Sequence, residues 1–178
     1  MPFIELVEDE DFAAIDRDVL GYTPNFNRLF ARRPAVYAAW KQLNGAVKSS
    51  MDLRRYELAT VAAAGELRSS YCSLAHGKVL YEEFGLRPGD ELSDEERAVQ
   101  ELARMVVDDA TSVTEADVER LRGFGLTDDD IFDVVLAAAA RSFFSKTLDA
   151  LCVQPDAEYR SLIPEIADAL TVGRPIDE

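Results

Sequence analysis

The chain has 178 residues, 48% of them hydrophobic, enough to build one domain around a substantial buried core, and this excludes a disordered chain. Lys plus Arg number 19 against 34 Asp plus Glu, a formal charge of -15, so nucleic-acid backbones and anionic membrane surfaces are excluded as partners. Two cysteines, Cys72 and Cys152, are too few for a disulfide scaffold, no basic segment leads into an apolar run at the start, and the longest wholly apolar stretch is Val134–Ala140; the expectation is a reduced, cytoplasmic protein without a membrane span.

The segments carry a helical period and cap signals at their boundaries instead of alternating β-branched runs, which predicts an all-α fold. An acidic arm, Glu8 to Asp11, opens the chain. Thr23-Pro24 then sets a cap residue before a proline at the first helical position, and that helix is expected to stop before Pro34. The next runs from Pro34 to about Lys48, with Val36, Tyr37, Trp40, Leu43 and Val47 at helical spacing. Asp52 caps a helix through Arg54, Glu57, Val61 and Ala64, which Gly65 is expected to end in a left-handed conformation. Ser69-Ser70 caps another, Tyr71 to about Phe84, closed by Gly85.

Arg87 to Glu91, with Pro88-Gly89, is a polar turn between the front and back halves, too short for an interdomain linker. Ser93 and Glu96 form a capping box for a helix to about Val107, and Thr114 and Thr127, each before an acidic first turn, start two more on either side of the break at Gly123-Phe124-Gly125. The Thr127 helix is strongly apolar through Phe144, which predicts burial on more than one face and a central or intersubunit position. Pro155 interrupts the pattern after Cys152, a short helix covers Ala157 to Leu170, and a tail starts at Val172.

His76 is the single histidine, and the two cysteines stand far apart, so no local zinc motif exists. No EF-hand loop or glycine-rich phosphate loop appears either, and neither a metal nor another cofactor is expected. One stretch nevertheless collects chemistry, with Glu57, Ser69, Cys72 and His76 close in sequence. On one straight helix Glu57 and Cys72 would stand about 22 Å apart, too far for proton transfer. An antiparallel hairpin turning near Leu67 instead sets position 57 opposite position 77, beside His76, and Cys72 lies one helical turn from His76 on the same face. In the first turn of its helix, Cys72 meets free backbone N–H groups that favour a thiolate, His76 can exchange its proton, and Glu57 can orient the imidazole. The same spacing also fits an inert packing cysteine, a satisfied core histidine and a solvated surface carboxylate.

Glu57, eleven residues, then Ser69-Ser-Tyr71-Cys72-Ser-Leu-Ala-His76 resembles the core motif of the alkylhydroperoxidase D and carboxymuconolactone decarboxylase superfamily, in which a Glu precedes Cys-x-x-Cys-x-x-x-His. Phe30 to Leu43, the segment Leu53-Arg54-Arg55-Tyr56-Glu57 and Phe143 to Asp156 resemble its peroxidase-related branch, so the resemblance covers most of the chain. It implies a single AhpD-like helical domain over residues 1–178, assembled as a homo-oligomer, with Cys72, His76 and Glu57 as catalytic residues and Ser69 and Tyr71 supporting them. The first motif cysteine is Ser69 here, which rules out the internal Cys-x-x-Cys disulfide. Cys152 is the one internal thiol left to resolve an oxidised Cys72, and an external thiol or protein reductant is favoured over it.

The resemblance thus implies a hydroperoxide reductase acting on a small hydroperoxide or other small organic substrate. Two alternatives stay open: a decarboxylase-like lyase in which Glu57 and His76 act without a redox thiol, with Arg54, Arg55 or Arg68 attracting an anionic substrate, and a non-catalytic helical oligomer.

Overall fold

The computed structural model describes residues 1–176, among which there is no strand. In chain order the helices are α1 (Glu10–Leu20), α2 (Asn25–Phe30), α3 (Pro34–Ser50), α4 (Leu53–Glu66), α5 (Ser70–Phe84), α6 (Asp94–Asp109), α7 (Glu115–Gly123), α8 (Asp128–Ala150) and α9 (Pro164–Leu170), with short 3-10 turns at Ala110–Ser112 and Ala157–Ser161.

Caps explain most of these boundaries. Asp52 accepts a hydrogen bond from Arg55 N at the start of α4, Ser93 and Glu96 close a reciprocal capping box on α6, and Thr127 does the same with Asp130 on α8. Several expectations need correction, the first at Thr23-Pro24, where Pro24 is itself the N-cap of α2 and makes no side-chain cap bond. The acidic arm is the start of a helix, since Asp9 accepts from Phe12 N and Glu10 and Asp11 fill a first turn whose N–H groups favour negative charge. Gly65 stays inside α4, and the left-handed residue is Arg68, at φ 55. There Ser69 N donates to Ala64 O at 2.9 Å and Arg68 N to Gly65 O at 3.0 Å, so the turn closes by hydrogen bonds that reach back over the last helical turn. The stretch Ala157 to Leu170 divides into a 3-10 turn and α9, because Pro164 opens a new helix.

α4 lies at the centre, packed on α5, α6 and α8. Its inner face is built from Ala59, Ala62 and Ala63, which meet Ala98 and Ala103 of α6 and Ala137 and Ala138 of α8, and small side chains let the helix axes approach closely. The other half of the core is aromatic: Phe12, Phe30, Tyr37, Trp40, Tyr71 and Phe144 gather where α1, α2 and α3 cover α5 and α8. α8 buries Val134, Ala138 and Leu148 completely while leaving Phe132 and Phe143 exposed.

Val172 to Ile176 is packed and not a free tail. Gly173 N donates to Ser70 Oγ at 2.8 Å, and a Cβ at position 173 would stand 1.9 Å from Arg68 O, so the segment lies against the α4–α5 turn as only glycine allows. Asp177 and Glu178, the end of the expected tail, lie outside the described residues. Among the described residues no helix is long and apolar enough to cross a membrane.

Candidate active site

The α4–α5 hairpin forms as its spacing requires. His76 Nδ1 and Glu57 Oε2 are 2.5 Å apart across the two helices, and Lys48 Nζ from the end of α3 donates to Glu57 Oε1 at 3.2 Å. Glu57 is fully buried, so it is no solvated surface charge. Burial pushes its carboxyl up, but the charge of His76 and the hydrogen bond with it, then those of Lys48, outweigh burial and hold it below the ordinary 4.5. Burial and then the charge of Arg141 push the His76 imidazole below the ordinary 6.5, against the pull of Glu57. With Glu57 held as the carboxylate, His76 Nδ1 carries the proton that it donates to Glu57, and Nε2 has no hydrogen-bond partner among the described residues.

Cys72 is buried one turn away, and its polar contact is with Arg141 of α8, whose Nη1 lies 3.7 Å from Sγ. No hydrogen bond joins Cys72 to His76; the two meet as neighbours on the wall of one cavity of roughly 370 Å³ between α3, α5 and α8. Arg141 Nη2 donates to Tyr56 OH at 3.4 Å, and Tyr56 OH donates to Asn44 Oδ1 at 2.8 Å, so a chain of polar groups crosses from α8 through α4 to α3. The guanidinium carbon also sits 5.6 Å from the ring centres of both Trp40 and Phe144. A permanent cation against the sulfur would complement a negative charge placed there.

The same arrangement of helices occurs in solved structures. An uncharacterised peroxidase-related protein from Ralstonia eutropha JMP134, described as an alkylhydroperoxidase AhpD core, superposes with a TM-score of 0.76 at 25% identity, over 89% of this chain and 93% of that one. The protein has the AhpD-like helical fold. An uncharacterised peroxidase-related protein from Silicibacter sp. TM1040 has a TM-score of 0.71 at 21% identity, over 90% of this chain and 92% of that one. The debrominase Bmp8 shares the fold, with a TM-score of 0.73 at 13% identity, over 93% of this chain and 96% of that one. No protein-family model and no curated protein matches the sequence.

Against the AhpD-like motif, Ser69 stands where the first cysteine would be. It is the N-cap of α5 and fully buried, yet its Oγ makes no cap bond. Tyr71 lines the cavity and donates to Asp156 Oδ2 at 2.5 Å; Asn25 N donates to the other carboxylate oxygen at 2.7 Å, so Tyr71 ties α5 to the segment after α8. Cys152 is a buried free thiol at φ 56 that accepts from Gln154 Nε2 at 3.3 Å, and it is not among the residues lining the cavity of Cys72. Among the described residues no group of three His, Cys, Asp or Glu could hold a metal ion.

The basic residues expected near the site do not line its cavity. Arg54 pairs with Glu96 at 2.6 Å, Arg55 with Asp130 at 2.6 Å and Glu95 at 3.2 Å, and Arg68 is exposed in the turn. Arg141, Lys48 and Tyr56 take the polar roles instead. Arg141 had a visible signal, a lone charge inside the apolar run from Val134 to Phe144, where a cation is buried only if it has work for its N–H groups.

The shifted His76 has a measurable consequence. Below pH 6.5 an unfolded chain takes up a proton on this imidazole that the folded protein resists, so the unfolded state binds more protons and stability falls as the pH drops. Glu57 acts in the same direction at lower pH, because stability from a depressed carboxyl is present above 4.5 and lost as the pH falls through its folded value. Compared with His76→Gln, the wild-type protein should lose Tm on going from pH 7.5 to pH 5. A difference that is flat with pH, or that grows in favour of the wild type, contradicts the assignment.

Proposed function

We propose that this protein is a thiol-dependent hydroperoxide reductase of the cytoplasm that uses one cysteine. The reading rests on one arrangement: Cys72, held against the Arg141 guanidinium, shares a cavity wall with an imidazole whose outer nitrogen is a free base and whose inner one is held by a buried carboxylate. His76 Nε2 takes the thiol proton, and the Cys72 thiolate attacks an oxygen of the hydroperoxide. A sulfur–oxygen bond forms and the oxygen–oxygen bond breaks; sulfur is oxidised to the sulfenic acid, the hydroperoxide is reduced to its alcohol, and His76 returns the proton to the leaving alkoxide. An external thiol then attacks the sulfenic sulfur and releases water, and a second thiol frees Cys72 while the disulfide departs with the reductant.

Ser69 offers a hydroxyl where a resolving sulfur would be needed, and Cys152 lies off the cavity, so resolution comes from a small thiol or a thiol protein. The assembly is a homo-oligomer in which the outer face of α8, with Phe132 at 60% and Phe143 at 46% exposure, is covered by another copy.

Mass spectrometry of peroxide-treated protein tests the reading. The expected products are a Cys72 sulfenic acid, or a mixed disulfide when a small thiol is added. A Cys72–Cys152 disulfide would overturn the external-reductant step, and a Cys72 that stays reduced in the folded protein would overturn the activity itself.

A further inference from the structure

The Cys72 cavity carries more chemistry than reduction of a peroxide bond requires. Its walls are flat and apolar, formed by Phe26, Tyr37, Trp40, Tyr71 and Phe144. Apart from the open acceptor of His76, its polar side chains are donors or are already engaged. Tyr37 OH donates to Asp16 at 2.7 Å, Tyr71 OH donates to Asp156, and Asn44 Oδ1 is taken by Tyr56, which leaves the Asn44 amide as a donor. Lys41 Nζ is paired with Asp16 at 3.2 Å and His76 with Glu57.

Arg141 differs from these two. It is 4% exposed, and among the described residues no carboxylate pairs with it. Its polar contacts are the Cys72 sulfur at 3.7 Å and the Tyr56 hydroxyl at 3.4 Å, both long, and Nε has no partner at all. A buried guanidinium whose five N–H donors are this poorly spent is costly unless an anion completes it. In a chain of net charge -15 it is a local reversal of sign.

We propose that the organic part of the substrate is a flat aromatic ring bearing a carboxylate, with the carboxylate held by Arg141 and the ring packed among the aromatic side chains that line the cavity. The inference takes from the proposed function that the substrate meets Cys72 in this cavity; the ligand class is its own. A guanidinium offers paired N–H groups that match the two oxygens of a carboxylate, and the volume of roughly 370 Å³ lies in the range of small-molecule pockets. The ring would dock with the carboxylate toward Arg141 and so beside Cys72.

Trp40 is the single tryptophan and lines the cavity, so its fluorescence reports occupancy directly. Benzoate is the probe, benzamide its neutral counterpart of the same shape, and acetate the same charge without a ring. Benzoate should change Trp40 emission saturably and slow alkylation of Cys72 by iodoacetamide with the same midpoint. It should bind about tenfold or more tighter than benzamide, the usual scale for a hydrogen bond to a charged group, and tighter than acetate through burial of the ring. In Arg141→Met the preference for benzoate over benzamide should vanish. Equal binding of benzoate and benzamide to the wild-type protein, or no saturable change with benzoate, overturns the proposal, and this comparison decides it even if the variant does not fold. Peroxide turnover is scored separately. Turnover of a simple alkyl hydroperoxide without benzoate protection sinks the ligand class alone, whereas benzoate binding without any turnover sinks the proposed function alone.

Discussion

Glu57→Gln should slow the oxidation of Cys72 by hydroperoxide about 10²- to 10⁴-fold, the range over which a positioned proton donor or acceptor acts. The carboxylate, 2.5 Å from Nδ1, holds the His76 proton there and so leaves Nε2 as the acceptor of the ring. A neutral amide of nearly the same shape accepts or donates with equal ease, so it no longer selects that tautomer, and it leaves Lys48 without its anion. The measurement is the single-turnover rate of sulfenic acid formation, followed by trapping, with Tm as the control for folding. A rate equal to that of the wild type in a folded variant would remove Glu57 and His76 from the mechanism.

Arg141→Met should separate reactivity from stability. Loss of a hydrogen bond to a charged group costs about 1.5–3 kcal/mol, and at about 1.36 kcal/mol per factor of ten the oxidation of Cys72 should fall ~10- to 100-fold. Methionine keeps an unbranched stem against Trp40 and Phe144 and brings no buried charge, so Tm should hold or rise. A variant that loses stability with unchanged thiol reactivity would make Arg141 a packing residue. These two variants act on different groups around one sulfur, and a double variant should show losses that do not simply add.

The part of the site legible in the sequence is the part that is local. Asp52 and Ser69 mark where α4 and α5 begin, and the interval between Glu57 and His76 is the length a helical hairpin needs to set them side by side. The i, i+4 step from Cys72 to His76 is a property of any α-helix. The error at Gly65 is equally local in origin. Glycine favours a left-handed end, but three more residues were needed to aim α5 back along α4, so Arg68 adopts that conformation instead. The acidic arm was misread because α1 buries little more than Phe12 and Ala13, too few apolar positions to show a period.

The amino-acid sequence by itself thus determined the all-α fold, the ends of most helices and the meeting of Glu57 with His76, because caps and helical periods act within a few residues of one another. Tertiary structure alone decided which cation reaches Cys72. Arg54 and Arg55 are the near choices in sequence, but they pair with carboxylates on α6 and α8, while Arg141, on a helix far along the chain, is carried to the sulfur by the packing of α8 on α4 and α5. It also decided that Glu57 is fully buried and that Lys48 answers its charge, since both follow from where α3 lies across the hairpin. Contacts between distant segments are chosen by the burial of whole helix faces, here alanine against alanine and ring against ring, and no short window of residues contains that choice.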